Sequence, residues 1–127
     1  MTANQAFAPS FAPGSRWASL IRAGYGAALI WRPGALLAAR TGSMPSRAAC
    51  TTCRVLGVRH LLQAAICAAY PARWLVRAGV AVDLLHAASM VALAGGNARM
   101  RPAALADSAV ASGFAAIGAA SLGAGQR

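Results

Sequence analysis

LGVRHLLQAAICAAYPARWLVRAGVAVDLLHAASM, residues 56–90, decides how the rest of the chain is read. Two apolar runs flank a short turn at residues 70–74, with Pro71 stopping the first run. Embedded in the runs are Arg59, His60 and Gln63, then Asp83 and His86. Each is costly to place in apolar surroundings alone, so each requires a partner. At 3.6 residues per turn, Arg59, Gln63, Ile66 and Tyr70 share one helical face, with Cys67 beside it. Asp83, His86 and Met90 share a face of the next run.

If the two runs pack antiparallel about their turn, residues whose numbers sum to about 145 lie level. Arg59 then stands level with His86 and Gln63 nearly level with Asp83, and an extended Arg59 covers its ~4.5 Å offset to Asp83. Insertion energetics point the same way. The Leu and Val residues of 74–94 contribute roughly −2.5 to −5 kcal/mol, and a central Asp83 removes about 2.5–3.5 of that. Neutralising Arg59 against Asp83 favours entry of the two helices as a pair. The intramembrane polar cluster expected here is therefore Arg59, Gln63, Asp83 and His86. An ion pair that holds helices together is its simplest role.

Composition supports a lipid setting. Apolar residues make up 58 % of the chain and charged residues 11 %; a soluble domain has about 45–50 % and about 25 %. A soluble helical protein needs charged outer faces, and this chain lacks the residues to build them. Its 127 residues allow one domain, and its apolar content excludes bulk disorder. Net charge is +10, with arginine as every basic residue and two aspartates as the acids. Seven of the arginines (Arg32, Arg40, Arg47, Arg54, Arg73, Arg99 and Arg101) stand singly between apolar runs. That spacing is the habit of multi-pass membrane proteins and not of a basic nucleic-acid stripe, so no nucleic-acid partner is expected.

Outward from the central stretch, residues 1–15 carry a repeated Phe-Ala-Pro and read as a flexible tail. WASLIRAGYGAALIW, residues 17–31, reads as a first helix, expected to insert as an uncleaved anchor and bracketed by Trp17 and Trp31 as interfacial aromatics would. It spans only roughly 21 Å, so it must borrow residues 34–39 beyond a proline kink, tilt little, or thin the bilayer. Gly24 and Gly26 suit close helix approach, and Arg22 is placed to snorkel from its end. Residues 41–54 read as a polar loop carrying a possible thiol pair, Cys50 and Cys53. Two further ligands at zinc spacing are lacking, there is no strand pattern for a thioredoxin-like unit, and Arg54 replaces the histidine of covalent haem attachment. His60 and His86 could bracket a haem, but His60 points about 100° away from Arg59. No metal and no cofactor are expected. Residues 102–122 form a last helix rich in Ala, Ser and Gly, with Asp107 placed to favour its positive N-terminus.

The pair LGVRHLLQ and VDLLHAASM resembles small uncharacterised multi-pass membrane proteins of GC-rich bacteria. The resemblance covers about a third of the chain, carries no activity, and supports the architecture only; the expected location is the bacterial cytoplasmic (inner) membrane. The expected fold is all-α: a four-helix transmembrane bundle with short loops and helices near 17–31, 55–70, 74–94 and 102–122. No nucleophile–base–orienter set or phosphate loop is visible, so no catalytic residue is named and no enzyme is expected. Expected partners are membrane lipid and either a second copy or another membrane protein. Structural or accessory work is the leading reading. The alternatives are proton-coupled transport of a small solute through the same cluster and a soluble basic helical protein that binds nucleic acid.

Overall fold

A computed structural model describes residues 13–70 and 72–124. Among these, the regular structure is entirely helical: α1 (Pro13–Trp31), α2 (Pro33–Thr41), α3 (Arg47–Ala69), α4 (Arg73–Gly96) and α5 (Arg101–Ala124). The expected tail lies outside the described residues up to residue 12, and Pro13 already belongs to α1.

Two boundaries differ from expectation. The stretch beyond the proline kink is a separate helix, α2, with Pro33 in its first turn, where a missing N–H costs nothing. It ends at Gly42, whose φ of 66° is left-handed and whose N–H bonds to the Ala38 carbonyl. The expected loop at 41–54 shrinks to a few residues, because α3 starts at Arg47. Ser46 caps it by accepting from the Ala49 N–H at 3.1 Å. The polar Thr51 and Thr52 survive inside the helix because their hydroxyls donate back to the Arg47 and Ala48 carbonyls, both at 3.0 Å.

The helices run up and down as two antiparallel pairs, α1 with α3 and α4 with α5, while α3 and α4 approach only sparsely. Glycine sets the first pair. A Cβ built on Gly57 would stand 2.5 Å from the Gly26 carbonyl oxygen, and one on Gly26 would stand 2.7 Å from that of Gly57. The two backbones therefore touch where α1 crosses α3. In the second pair Gly118 makes room for Val80, and Ser108 Oγ donates to the Ala87 carbonyl at 3.1 Å.

The distribution of side chains is inverted relative to a water-soluble bundle. The buried apolar residues are mostly alanines (Ala64, Ala87, Ala94, Ala103, Ala104, Ala111, Ala115), with Leu29, Leu37 and Phe114. The bulky ones face outward on every long helix: Trp17, Ile21 and Trp31 on α1, Val58 and Leu62 on α3, Leu84 and Leu85 on α4, Ile117 on α5. Two helices, α4 and α5, are long and apolar enough to cross a membrane. Their 24 residues each span about 36 Å, against a hydrocarbon core of about 30 Å. Only 17 % of the apolar window of α4 is buried, unlike a helix enclosed in a soluble core. Arginines interrupt α1 and α3, so helix composition supports two spans and not the four expected.

The glycine crossing gives a direct test. Gly57→Ala forces backbone against backbone and should cost about 1–3 kcal/mol, the usual range for overpacking. Gly24→Ala, where nothing lies within 4 Å of the added Cβ, should be neutral or slightly stabilising. Thermal unfolding of the two variants in detergent, followed by circular dichroism, checks the contrast.

Candidate functional site

Asp83 is the most deeply buried charge in the bundle, with none of its surface exposed. The Arg22 guanidinium grips it with two parallel bonds, Nη1 to Oδ1 at 3.0 Å and Nη2 to Oδ2 at 2.5 Å. Arg59 Nη2 adds a third at 2.7 Å to Oδ1. The fork of an arginine matches a carboxylate in this way, and charge assistance makes such bonds roughly twice as strong as neutral ones. Arg22 Nη1 also donates to Gln63 Oε1 at 3.1 Å and lies 3.5 Å from His60 Nδ1. The face of its guanidinium rests 4.2 Å from the centre of the Phe114 ring. Arg22 thus has a partner from each of the other three long helices: Asp83 from α4, Gln63 from α3, Phe114 from α5.

A second carboxylate lies close by. Asp107 of α5 accepts from the Tyr25 hydroxyl of α1 at 2.7 Å and meets His86 Nε2 of α4 at 2.6 Å. His60 fills the space between the two groups. Its side chain is 1 % exposed, edge-on to Tyr25 with ring centres 5.4 Å apart, and tilted against Phe114. Arg40 of α2 stands beside Tyr25 and Asp107. The helical period explains the registry. Arg22 and Tyr25 are three apart on α1, Asp83 and His86 three apart on α4, so each helix offers two polar groups on one face.

Of the residues named from sequence, Arg59, Gln63 and Asp83 come together. His86 does not join them, because it lies one turn along α4 and bonds to Asp107. Three residues read blandly from sequence belong to the site. Arg22, expected to snorkel, has a side chain only 11 % exposed and holds Asp83. Asp107 does not simply face its helix end; it is the buried partner of Tyr25 and His86. His60, set aside because it points away from Arg59, faces α1 and sits at the centre. A charge count was the available signal: two acids among so few charged residues leave each acid in demand by several arginines.

Cys50 and Cys53 lie in the first turns of α3, not in a loop, and both are half-buried free thiols, as is Cys67. Among the described residues no group of three His, Cys, Asp or Glu side chains could hold a metal ion. No protein-family model, curated protein or solved structure matches the chain.

The cluster carries two cations on one anion, a net charge of +1 (two positive less one negative). This predicts an asymmetry between the arginines. Arg22→Met removes the two-pronged grip and the bond to Gln63, and should cost about 3–5 kcal/mol, as breaking a buried pair does. Arg59→Met leaves Arg22 and Asp83 as a balanced pair and relieves a buried Nε that has no partner, so its cost should stay below about 1 kcal/mol. Chemical unfolding of both variants in detergent micelles measures the difference.

Proposed function

We propose that the chain is a multi-pass protein of the bacterial cytoplasmic membrane, a structural or accessory component whose long helices cross the bilayer as two pairs. The observation that carries this reading is the inverted packing: bulky apolar side chains outside, alanines and ion-paired groups inside. In water, an outer surface of this kind would be a sticky patch on every side. Lipid is the solvent that suits it, since helices in lipid associate through small residues and interhelical polar bonds.

The same packing explains how α1 and α3 can cross despite their charges. Arg22 and Arg59 turn inward to Asp83, while Leu20 and Ile21 on α1 and Val58, Leu62 and Ile66 on α3 face out. Average apolarity counts inward arginines against a helix, but lipid meets only its outer face. The Arg22–Asp83–Arg59 group then acts as the joint between the pairs. A second reading, proton-coupled transport, draws support from the His86–Asp107–Tyr25 group, since linked titratable groups inside membrane proteins commonly carry protons.

Extraction tests the main reading. The protein should stay with membranes through high salt and alkaline carbonate and leave them only with detergent; release by salt alone would overturn it. Asp107→Asn separates the two roles. In the structural reading it lowers stability by about 1–3 kcal/mol through the partners it orphans. Proteoliposomes holding folded Asp107→Asn protein that lose a pH-driven flux present in wild type would establish transport instead.

A further inference from the structure

Both aspartates of the chain are buried and engaged, so neither offsets the arginines on its surface. Those arginines are not evenly spread. The end of the bundle formed by α2, the start of α3 and the α4–α5 turn exposes Arg32, Arg47, Arg54, Arg99 and Arg101. At this end the α2–α3 turn and the α4–α5 turn enclose an open groove of about 320 Å³. Leu37, Met44 and Met100 line it with apolar surface, and Ser43, Asn97 and Arg99 with polar groups. Arg99 Nη2 reaches across it to the Met44 carbonyl at 3.5 Å, a long contact that an anionic oxygen would displace. Trp31 and Met44, 81 % and 84 % exposed, stand among the arginines.

We propose that this groove binds the headgroup of an anionic glycerophospholipid from the leaflet that faces the arginine-rich end. The inference rests on the membrane reading above and adds to it a site, a ligand class and an orientation. Charge complementarity selects the anion. The groove's mixed lining selects a lipid over a free ion or a nucleic acid: phosphate against Arg99, glycerol against the hydroxyl and amide groups, first acyl carbons against Leu37, Met44 and Met100. Its volume lies at the small end of the about 300–1,000 Å³ typical of ligand sites, which suits a headgroup and not a whole lipid. Exposed tryptophan at the same level is the usual mark of a bilayer interface. Arginine excess then sets this end on the cytoplasmic side.

The test uses the full chain reconstituted into phosphatidylcholine vesicles with and without a minor fraction of phosphatidylglycerol. Spin-labelled phosphatidylglycerol and phosphatidylcholine are compared for the fraction immobilised on the protein. Wild type should prefer phosphatidylglycerol, and high salt should weaken the preference. Arg99→Gln and Arg47→Gln should each lower it by roughly fivefold or less, the scale of one basic residue at an anionic surface. Arg77→Gln, at the opposite end, should leave it unchanged. Equal immobilisation of both lipids, an equal loss in Arg77→Gln, or displacement of the labelled lipid by inorganic phosphate alone would overturn the proposal. Failure of the chain to float with vesicles of either composition would instead refute the membrane reading beneath it, so the two failures are distinct.

Discussion

A single buried carboxylate, Asp83, organises the bundle, because two guanidiniums from two other helices close on it. A bare anion in an apolar interior would cost several kcal/mol, so α4 takes its place only with a guanidinium on Asp83, and Arg22 supplies the two-pronged one. The reverse also holds. Neither arginine could face inward from α1 or α3 without an anion to meet. The geometry of the bundle is what lets all three be charged and enclosed together.

The joint matters because the two halves of the fold meet far less closely than the helices within each half. Within each pair the helices pack closely, on Gly26 and Gly57 in one and on alanine, Ser108 and Gly118 in the other. Between the pairs α3 and α4 approach only sparsely, although they are neighbours in sequence. What crosses that boundary is one aromatic contact, Phe114 against Tyr25 and His60, and a set of polar ones: Arg22 and Arg59 to Asp83, and Tyr25 to Asp107. Non-directional apolar contact would permit the pairs to slide or rotate. A forked arginine on a carboxylate, with a second hydrogen-bonded carboxylate one turn along, admits one registry. Buried ion pairs are poor sources of net stability but effective in selecting one arrangement, and that is the role these geometries suit.

The all-helical character was legible from the runs of apolar residues, and the proximity of Arg59, Gln63 and Asp83 from simple antiparallel register. Arg59 reaches Asp83 directly although α3 and α4 approach only sparsely, and Gln63 joins the group through Arg22 of α1. Arg22 and Asp107 could not be placed by the same means. Their partners come from helices distant in sequence, and no turn fixes the level of α1 against α4 or α5. The start of α3 was hidden for a local reason. Two threonines and two cysteines resemble a loop in composition, whereas Ser46 as cap and the backward hydrogen bonds of Thr51 and Thr52 make them helical. The span count was read as four from periodic apolar runs, while whole-helix apolarity marks out α4 and α5. α1 carries Arg16 and Arg22 and α3 carries Arg47, Arg54 and Arg59, and what each costs depends on which way it faces: only Arg22 and Arg59 turn inward to Asp83.

That dependence extends from the interior to the surface. A chain with two acids and twelve basic residues could have neutralised some of its outer charge with Asp83 and Asp107. It encloses both instead, and α1 reaches both, through Arg22 and Tyr25. The interior thereby gains its anions, and the outside keeps arginine as its charged residue, five of them at the end where α2 lies. The same allocation of two carboxylates therefore does two things: it fixes how four long helices meet, and it makes one end of their bundle a cationic surface interleaved with tryptophan and methionine. Moving either acid to the surface would weaken both properties at once, which is why the interior joint and the charged end belong to one physical design.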